Sequence, residues 1–484
     1  MKNKTMNKIL LIATSLFASL YSYSQHKKDI SWVENNITSK VHIEGERPTN
    51  YSILQKMEEY SVPGISIAIA KDGKLVYAKG FGIANSKTGS SVDSNTLFQA
   101  ASISKPLAAL SILKLVEKGK IDLDVDVNTY LKAWKIPENK HTIDEKVTLR
   151  RILNHTAGIT VHGFPGYKPT DVFPSTIDVL KGKGNTPVIT VDTIPGSIWR
   201  YSGGGYTIIQ QIVKDVSGFE LDEYMEKYIF LEIGMIESSF EQPIDESKSK
   251  IVSGAYDEKG KLYKGVWHNY PEIAAAGLWT TPSDLIKYCI HIQNIFNRNK
   301  EGVLTQETVT EMLTPHKNNW GLGPSLTNDG DSLRFGHGGK NAGFTNNMTA
   351  FVHKGDAIVV MTNGDNGRSI IDDVFRAVST FYAWNIANYV TVNPISIDKK
   401  ELVKFTGKYS YPENGKRVFL NVKLKNGQLV MKDPAVPDPI LLTCLSPSEF
   451  IDLDRGITID FRTNEDGKVI DFLWNKKWVN IKED

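Results

Sequence analysis

The chain has 484 residues, 40% of them hydrophobic, with 57 basic and 55 acidic side chains and two cysteines. That length exceeds one ordinary domain and supplies a sizeable packed core, while the near-neutral charge excludes a nucleic-acid binder built on a basic face. Cys289 and Cys444 are too few and too far apart for a disulfide framework and read as two buried thiols.

The chain opens with Lys2, Lys4 and Lys8, an apolar run from Ile9 to Leu20 and a small-residue site at Ser22-Tyr23-Ser24. This pattern reads as a secretory signal peptide over residues 1–24, too short to span a bilayer as a helix of about 20 apolar residues. Setting its three lysines aside leaves 54 basic against 55 acidic residues. No later stretch is apolar for long enough to cross a membrane, so a periplasmic or secreted protein without a transmembrane segment is expected.

From Ile65 to Tyr77 the pattern predicts a hairpin, with Ile65, Ile67 and Ile69 alternating with small residues and Asp72-Gly73 at the turn. A helix follows: Leu107, Leu110, Ile112, Leu113, Leu115 and Val116 form an apolar stripe that stops at Gly119. Pro106 has no amide hydrogen and suits only about the first helical turn, which places Ser102 at the helix start. The middle of the chain reads as helical and loop-rich, with irregular structure from Gly158 to Gly205. Strands return from Asn346 to Thr362 around a Lys354-Gly355-Asp356 turn, followed by a helix from Ile370 to Ile386.

Near Pro394 the pattern changes to short alternating strands with turns at Asn426-Gly427 and Asp466-Gly467. The expected architecture is an α/β (α+β) unit over residues 25–390, an antiparallel sheet flanked by helices with a mostly helical second lobe, and a small all-β, barrel-like domain over 395–484. Within the small domain Tyr409, Phe419, Phe461, Trp474 and Trp478 are expected in the core.

Three clusters stand in order along this frame: Ser102-Ile103-Ser104-Lys105, Tyr201-Ser202-Gly203 and His337-Gly338-Gly339. A Ser-x-x-Lys alone means little, because the chain repeats it at Ser24, Ser111, Ser247 and Ser396. Ser102 differs in sitting between a strand-like approach (Leu97, Phe98) and a helix start, where Lys105, three residues on, shares its face. Glycines around Tyr201 and His337 free the backbone to approach a ligand. A nucleophile, an amine, a phenol and a late cationic or hydrogen-bonding group are the equipment of serine acyl transfer.

This order resembles the serine β-lactamase and penicillin-binding-protein superfamily, in particular its class C β-lactamase-like branch. Val62-Pro63-Gly64, Leu153-Asn154-His155-Thr156-Ala157-Gly158 and Ala275-Ala276-Gly277-Leu278-Trp279-Thr280-Thr281 look like further segments of that branch. The resemblance implies that Ser102 is acylated, that the Lys105 cation holds Tyr201 at or near phenolate, and that Tyr201 shuttles the Ser102 proton. It implies an oxyanion hole from the backbone amides of Ser102 and Lys340, each donor worth ~3 kcal/mol, and substrate contacts along Gly203, Gly338 and Gly339. Gly203 replaces an asparagine and His337 a lysine found in class C enzymes, and His337 is expected to bond Tyr201 or the substrate. His155 reads as structural.

The expected function is an exported serine hydrolase forming a Ser102 acyl-enzyme on an ester, or on an amide or peptide of D-amino-acid or cell-wall type. The alternatives are a true β-lactamase or D-alanyl-D-alanine carboxypeptidase, and a non-catalytic peptide or glycan binder on the same fold. No cofactor or metal is implied; the partner is a small-molecule or peptide substrate. The sequence lacks Gly-x-Ser-x-Gly, His-Glu-x-x-His and dinucleotide-loop signatures.

Overall fold

A computed structural model describes residues 29–245, 251–298, 300–413, 416–434, 436 and 439–483. The signal-peptide reading lies outside the described residues.

The hairpin forms as the pattern predicts: β1 (Gly64–Lys71) and β2 (Lys74–Asn85) are joined by Asp72 and Gly73, both at positive φ (51° and 73°). Two left-handed residues match the strand twist, which is why Asp-Gly serves here. β1 divides its side chains between two layers. Ile65, Ile67 and Ile69 join Ile358, Val360, Ile370 and Val374 in one cluster, while Ala68 and Ala70 face the larger helical cluster on the other side.

Five more strands complete an antiparallel sheet: β3 (Ser90–Ser91), β4 (Ser325–Thr327), β5 (Arg334–Asn341), β6 (Phe344–Phe351) and β7 (Ala357–Thr362). Their order is β3-β2-β1-β7-β6-β5-β4. The first and last parts of the unit therefore meet at the β1–β7 pair, and everything between them forms the helical lobe.

Three long helices build that lobe: α1 (Ser104–Glu117), α2 (Gly203–Ser217) and, after the short α3 (Ile273–Ala276), α4 (Pro282–Phe296). α1 is buried over most of its surface, which explains an apolar stripe broader than that of a surface helix. Residues 154–202 between α1 and α2 are mostly irregular, with one short helix at Thr176–Leu180. α5 (Gly367–Tyr382) covers the opposite face of the sheet and ends four residues before the expected Ile386, at Ala383 with φ 54°.

The C-terminal strands close into a barrel: β8 (Gly407–Glu413), β9 (Lys416–Lys425), β10 (Gln428–Lys432), β11 (Ile440–Cys444), β12 (Glu449–Ile451), β13 (Thr458–Thr463), β14 (Val469–Trp474) and β15 (Trp478–Lys482), with β15 returning to β8. Closure removes every unpaired edge. Tyr409 and Phe461 are core, as expected, and Trp474 is half-buried. Phe419 and Trp478, expected inside, are 38% and 62% exposed. Phe419 precedes the buried Leu420 and so faces outward, whereas Trp478 shares the face of the buried Asn480 and is exposed because it is the first residue of β15, paired with Trp474. A parallel pairing of Val41–Ile43 with Val390–Val392 joins the two ends of the larger unit, and Val41, Val392 and Ile451 pack together against the barrel. Cys289 and Cys444 are buried free thiols.

Candidate active site

Ser102 lies in a single 3-10 turn, Ala101–Ile103, that leads directly into α1. Ala101 holds φ 51°, a left-handed conformation that costs an L-residue about 1–2 kcal/mol. The turn is fixed from three sides. Leu278 N–H donates to Ser104 Oγ (3.0 Å), Ala100 N–H donates to the Leu278 carbonyl (2.8 Å), and Asn346 Nδ2 donates to the Gln99 carbonyl (2.8 Å). Ser102 stays partly exposed at its tip.

One helical turn on, Lys105 is buried, its Nζ 3.1 Å from Ser102 Oγ and 2.8 Å from the carbonyl oxygen of Ala275 in α3. A carbonyl is a dipole, not a counter-charge. Among the described residues no carboxylate pairs with the Lys105 amine, and burial lowers it to about 7. The Ala-Ala-Gly-Leu-Trp-Thr-Thr segment thus contributes main-chain atoms, positioning both Lys105 and the nucleophile turn.

Tyr201 ends the irregular segment just before α2. Its ring lies 4.9 Å from Lys105 Nζ, so the amine faces the ring. Burial raises the Tyr201 phenol above its ordinary value, opposed by its hydrogen bond with Ser102. Burial thus disfavours the charged form of both groups, which runs against the phenolate and lysine cation that the resemblance implies.

His337, on β5, points its Nε2 at Tyr201 Oη (3.4 Å) and its Nδ1 at the Gly338 carbonyl (2.5 Å). A carbonyl only accepts, so Nδ1 carries the hydrogen, Nε2 presents a lone pair, and Tyr201 O–H donates to it. Burial and the nearby Lys105 lower the imidazole to about 3. Of the two roles expected of His337, cationic or hydrogen-bonding, the second is the one its surroundings support.

The edge of β5 is open where the substrate contacts were expected. β4 pairs only as far as Ser325 opposite Gly336, so from His337 onward β5 has β6 on one side alone. Asn341 and Phe344 close a two-residue hairpin and form a doubly bonded pair, and alternation from there turns the N–H groups of Gly338 and Lys340 toward the open edge. That direction suits the Lys340 amide as an oxyanion donor. The Lys340 side chain leaves the cleft for Asp365 (2.6 Å). Gly338 is exposed with room for a side chain, whereas a Cβ on Gly339 would lie 2.1 Å from the Ala100 carbonyl. Gly339 is therefore where strand and nucleophile turn touch.

Gly203 is corrected. It is buried, not a substrate contact: its N–H donates to the His162 carbonyl (3.0 Å), and a Cβ would lie 2.8 Å from the Phe164 ring. The loop carrying His162 and Phe164 covers the glycine at the position of the family's asparagine. His155 is structural, as expected. Its Nδ1 accepts from Ser202 N–H (3.1 Å), and its ring lies 4.3 Å from that of Tyr201.

Sequence reasoning missed two neighbours of Tyr201: Trp320, 5.8 Å from its ring edge to face, and the exposed His162, at 4.9 Å. Both come from loops whose paths no periodicity encodes. Among the described residues no cluster of three potential metal ligands occurs.

A Ser-x-x-Lys helix start facing the open edge of a seven-stranded antiparallel sheet, with a helical lobe between the sheet's halves, defines the serine β-lactamase and penicillin-binding-protein superfamily. The chain belongs to the Beta-lactamase family, whose model matches residues 52–379. Penicillin-binding protein 4 of Amycolatopsis lactamdurans is 23% identical over 66% of this chain and 85% of that protein. The human mitochondrial serine beta-lactamase-like protein LACTB is 25% identical over 54% of this chain and 60% of its own length. An octameric penicillin-binding protein homologue from Pyrococcus abyssi, 25% identical, matches 89% of this chain and 98% of its own with a TM-score of 0.60. That share is larger than residues 1–392 alone could supply, so the likeness extends into the barrel.

Proposed function

We propose that the protein is a serine hydrolase that forms a Ser102 acyl-enzyme on esters or amides lacking a free carboxylate beside the scissile bond. The observation that carries this reading is the 3.1 Å contact between Ser102 Oγ and Lys105 Nζ, with the amine lowered to about 7. At neutral pH a large fraction of Lys105 is then an uncharged base within reach of the nucleophile's proton. As Oγ adds to the carbonyl carbon, that proton passes to Lys105 Nζ, and negative charge develops on the carbonyl oxygen facing the Ser102 and Lys340 amides. Collapse expels the alcohol or amine, which takes the proton back from Lys105 through the Tyr201 hydroxyl. Water then repeats the sequence on the ester to Ser102 and releases the acid.

Substrate class follows from the third cluster. His337 is neutral, and the Lys340 ammonium is occupied by Asp365, so neither side chain offers a fixed cation to a carboxylate along the β5 edge. Neutral esters and amides, including D-amino-acid amides, fit this edge better than β-lactams or peptides ending in a carboxylate.

The test is labelling by a fluorophosphonate probe and turnover of a short-chain nitrophenyl ester. Wild type is labelled and turns over, while Ser102→Ala shows neither; equal labelling of both proteins overturns the reading. We also propose export, supported by Lys2, Lys4, Lys8 and the apolar run 9–20. N-terminal sequencing of protein recovered outside the cytoplasm checks it, with a first residue near Gln25 expected.

A further inference from the structure

On the face of β5 turned away from Ser102 lies a cavity of about 370 Å³ between β4, β5, β6 and the start of α5. Its strand-side wall follows from alternation. Phe335, His337 and Gly339 face the helical lobe and the nucleophile, so Arg334, Gly336 and Gly338 face α5, with Asn347 and Thr349 of β6 beside them. Polar side chains line this part of the cavity, and Phe375, Ile386 and Ala387 close the far side.

Arg334 is the anomaly. It is only 9% exposed, and among the described residues its guanidinium has no hydrogen bond and no ion pair; its Nε is sealed from solvent without a partner. The Phe351 ring lies 5.8 Å from its Cζ. The terminal nitrogens of Arg334, also without a partner among the described residues, keep access to the cavity, and a partly buried cation of this kind gains from meeting an opposite charge. Asp372, the acid in the cavity wall, is taken by Arg368 at 3.0 Å on the same helix. The cavity is thus left with a net positive charge, a planar fork of N–H donors and an apolar far wall.

We propose that this cavity binds a small organic carboxylate, the carboxylate on Arg334 and its apolar body against Phe375, Ile386 and Ala387. A guanidinium presents paired parallel donors that match a planar carboxylate. Thr327 and the Asn347 amide supply further donors, whereas the Ser325 hydroxyl already donates to the Gly336 carbonyl (2.8 Å). The site is separate from the Ser102 cleft. It lies behind the strand, with Gly336 and Gly338 in its floor and His337 between them turned to Tyr201. The inference stands on the unpaired Arg334 and needs no catalytic step.

The experiment is calorimetric titration of the full chain with benzoate and, separately, with inorganic phosphate. Benzoate is expected to bind wild type and raise its unfolding temperature. Arg334→Gln should bind at least roughly tenfold more weakly, the usual effect of losing a charge-assisted pair. Thr349→Trp, which fills the cavity from the neighbouring strand and keeps the arginine, should also abolish the response, and it decides the matter if Arg334→Gln does not fold. Benzoate binding undiminished in a folded variant would place the ligand elsewhere and overturn the proposal, as would no binding by wild type. Phosphate binding without benzoate binding overturns the carboxylate assignment.

Discussion

Lys105 Nζ donates to the main-chain carbonyl of Ala275 at 2.8 Å, and among the described residues no carboxylate pairs with the amine. The lysine is therefore anchored without being neutralised, and desolvation sets its proton affinity.

The first prediction concerns pH. If Lys105 is the base, kcat/KM for a neutral ester rises from acid pH and levels off with a midpoint near 7, and Lys105→Met loses about 10²–10⁴-fold in rate. Stability should rise with pH as well, but over a higher window. The folded amine, lowered from 10.5 to about 7, binds fewer protons than the unfolded one between those values, so this group's contribution rises with pH across that window and its cost is fully present below pH 7. Lys105→Met is expected to be more stable than wild type at pH 6, by about 1–4 kcal/mol, and the gap should narrow by pH 10. Urea unfolding at the two pH values checks this; a variant less stable than wild type at both would show that the amine is not a buried burden.

The second prediction concerns substrate charge. Because the imidazole of His337 is lowered to about 3, His337→Lys adds a cation where the protein has a neutral group. Relative kcat/KM for a substrate carrying a free carboxylate, against its methyl ester, should rise roughly tenfold. The new charge, close to Lys105, should also move the acid limb of the profile to lower pH. An unchanged preference would mean that the third cluster does not face the substrate's charged end.

Much of this arrangement was legible in the sequence wherever local chemistry was decisive. Asp72-Gly73 and Asn426-Gly427 adopt the left-handed turns their residue types favour, and Pro106 falls in the first turn of α1, which places Ser102 at its start. What stayed hidden depends on chain paths without periodicity. Gly203 read as a point of ligand approach, but the contact it allows is with Phe164 and His162, forty residues earlier in an irregular segment. The electrostatics were hidden for a related reason. A Ser-x-x-Lys spacing says that the amine reaches the hydroxyl, but not that its other hydrogen-bond partner is a carbonyl from α3 rather than an acid. In the barrel, Trp478 and Phe419 are aromatic strand residues like Phe461, and only the register shows that Phe419 faces outward and that Trp478 stands at the exposed start of its strand.

A third prediction tests the covered glycine. Gly203→Asn restores the residue type of class C enzymes, yet its Cβ would press on the Phe164 ring at 2.8 Å and on the His162 carbonyl at 3.0 Å. Overpacking of this kind typically costs about 1–3 kcal/mol, so the variant should unfold at lower urea and lose ester turnover through displacement of Tyr201. Adding Phe164→Ala should recover stability, because the ring is the nearest obstacle. Activity retained by Gly203→Asn alone would show that the loop moves aside freely.

The last prediction separates two adjacent glycines. A Cβ at Gly338 has only the Asn346 carbonyl within reach, at 3.9 Å, whereas a Cβ at Gly339 would lie 2.1 Å from the Ala100 carbonyl and 3.3 Å from Ala101 Cβ. Gly339→Ala must therefore push β5 away from the nucleophile turn, and with it the Lys340 amide that faces the same cleft. If that amide stabilises the oxyanion, the loss appears in kcat, at about 10²–10³-fold, the usual effect of removing one such donor, with a smaller change in KM. Gly338→Ala should fold like wild type and keep kcat and KM near the wild-type values, because its methyl group points to the face of β5 turned away from Ser102 and does not touch the turn. Steady-state kinetics on one neutral ester distinguishes the pair, and equal kcat values for the two variants would remove Lys340 from the oxyanion hole.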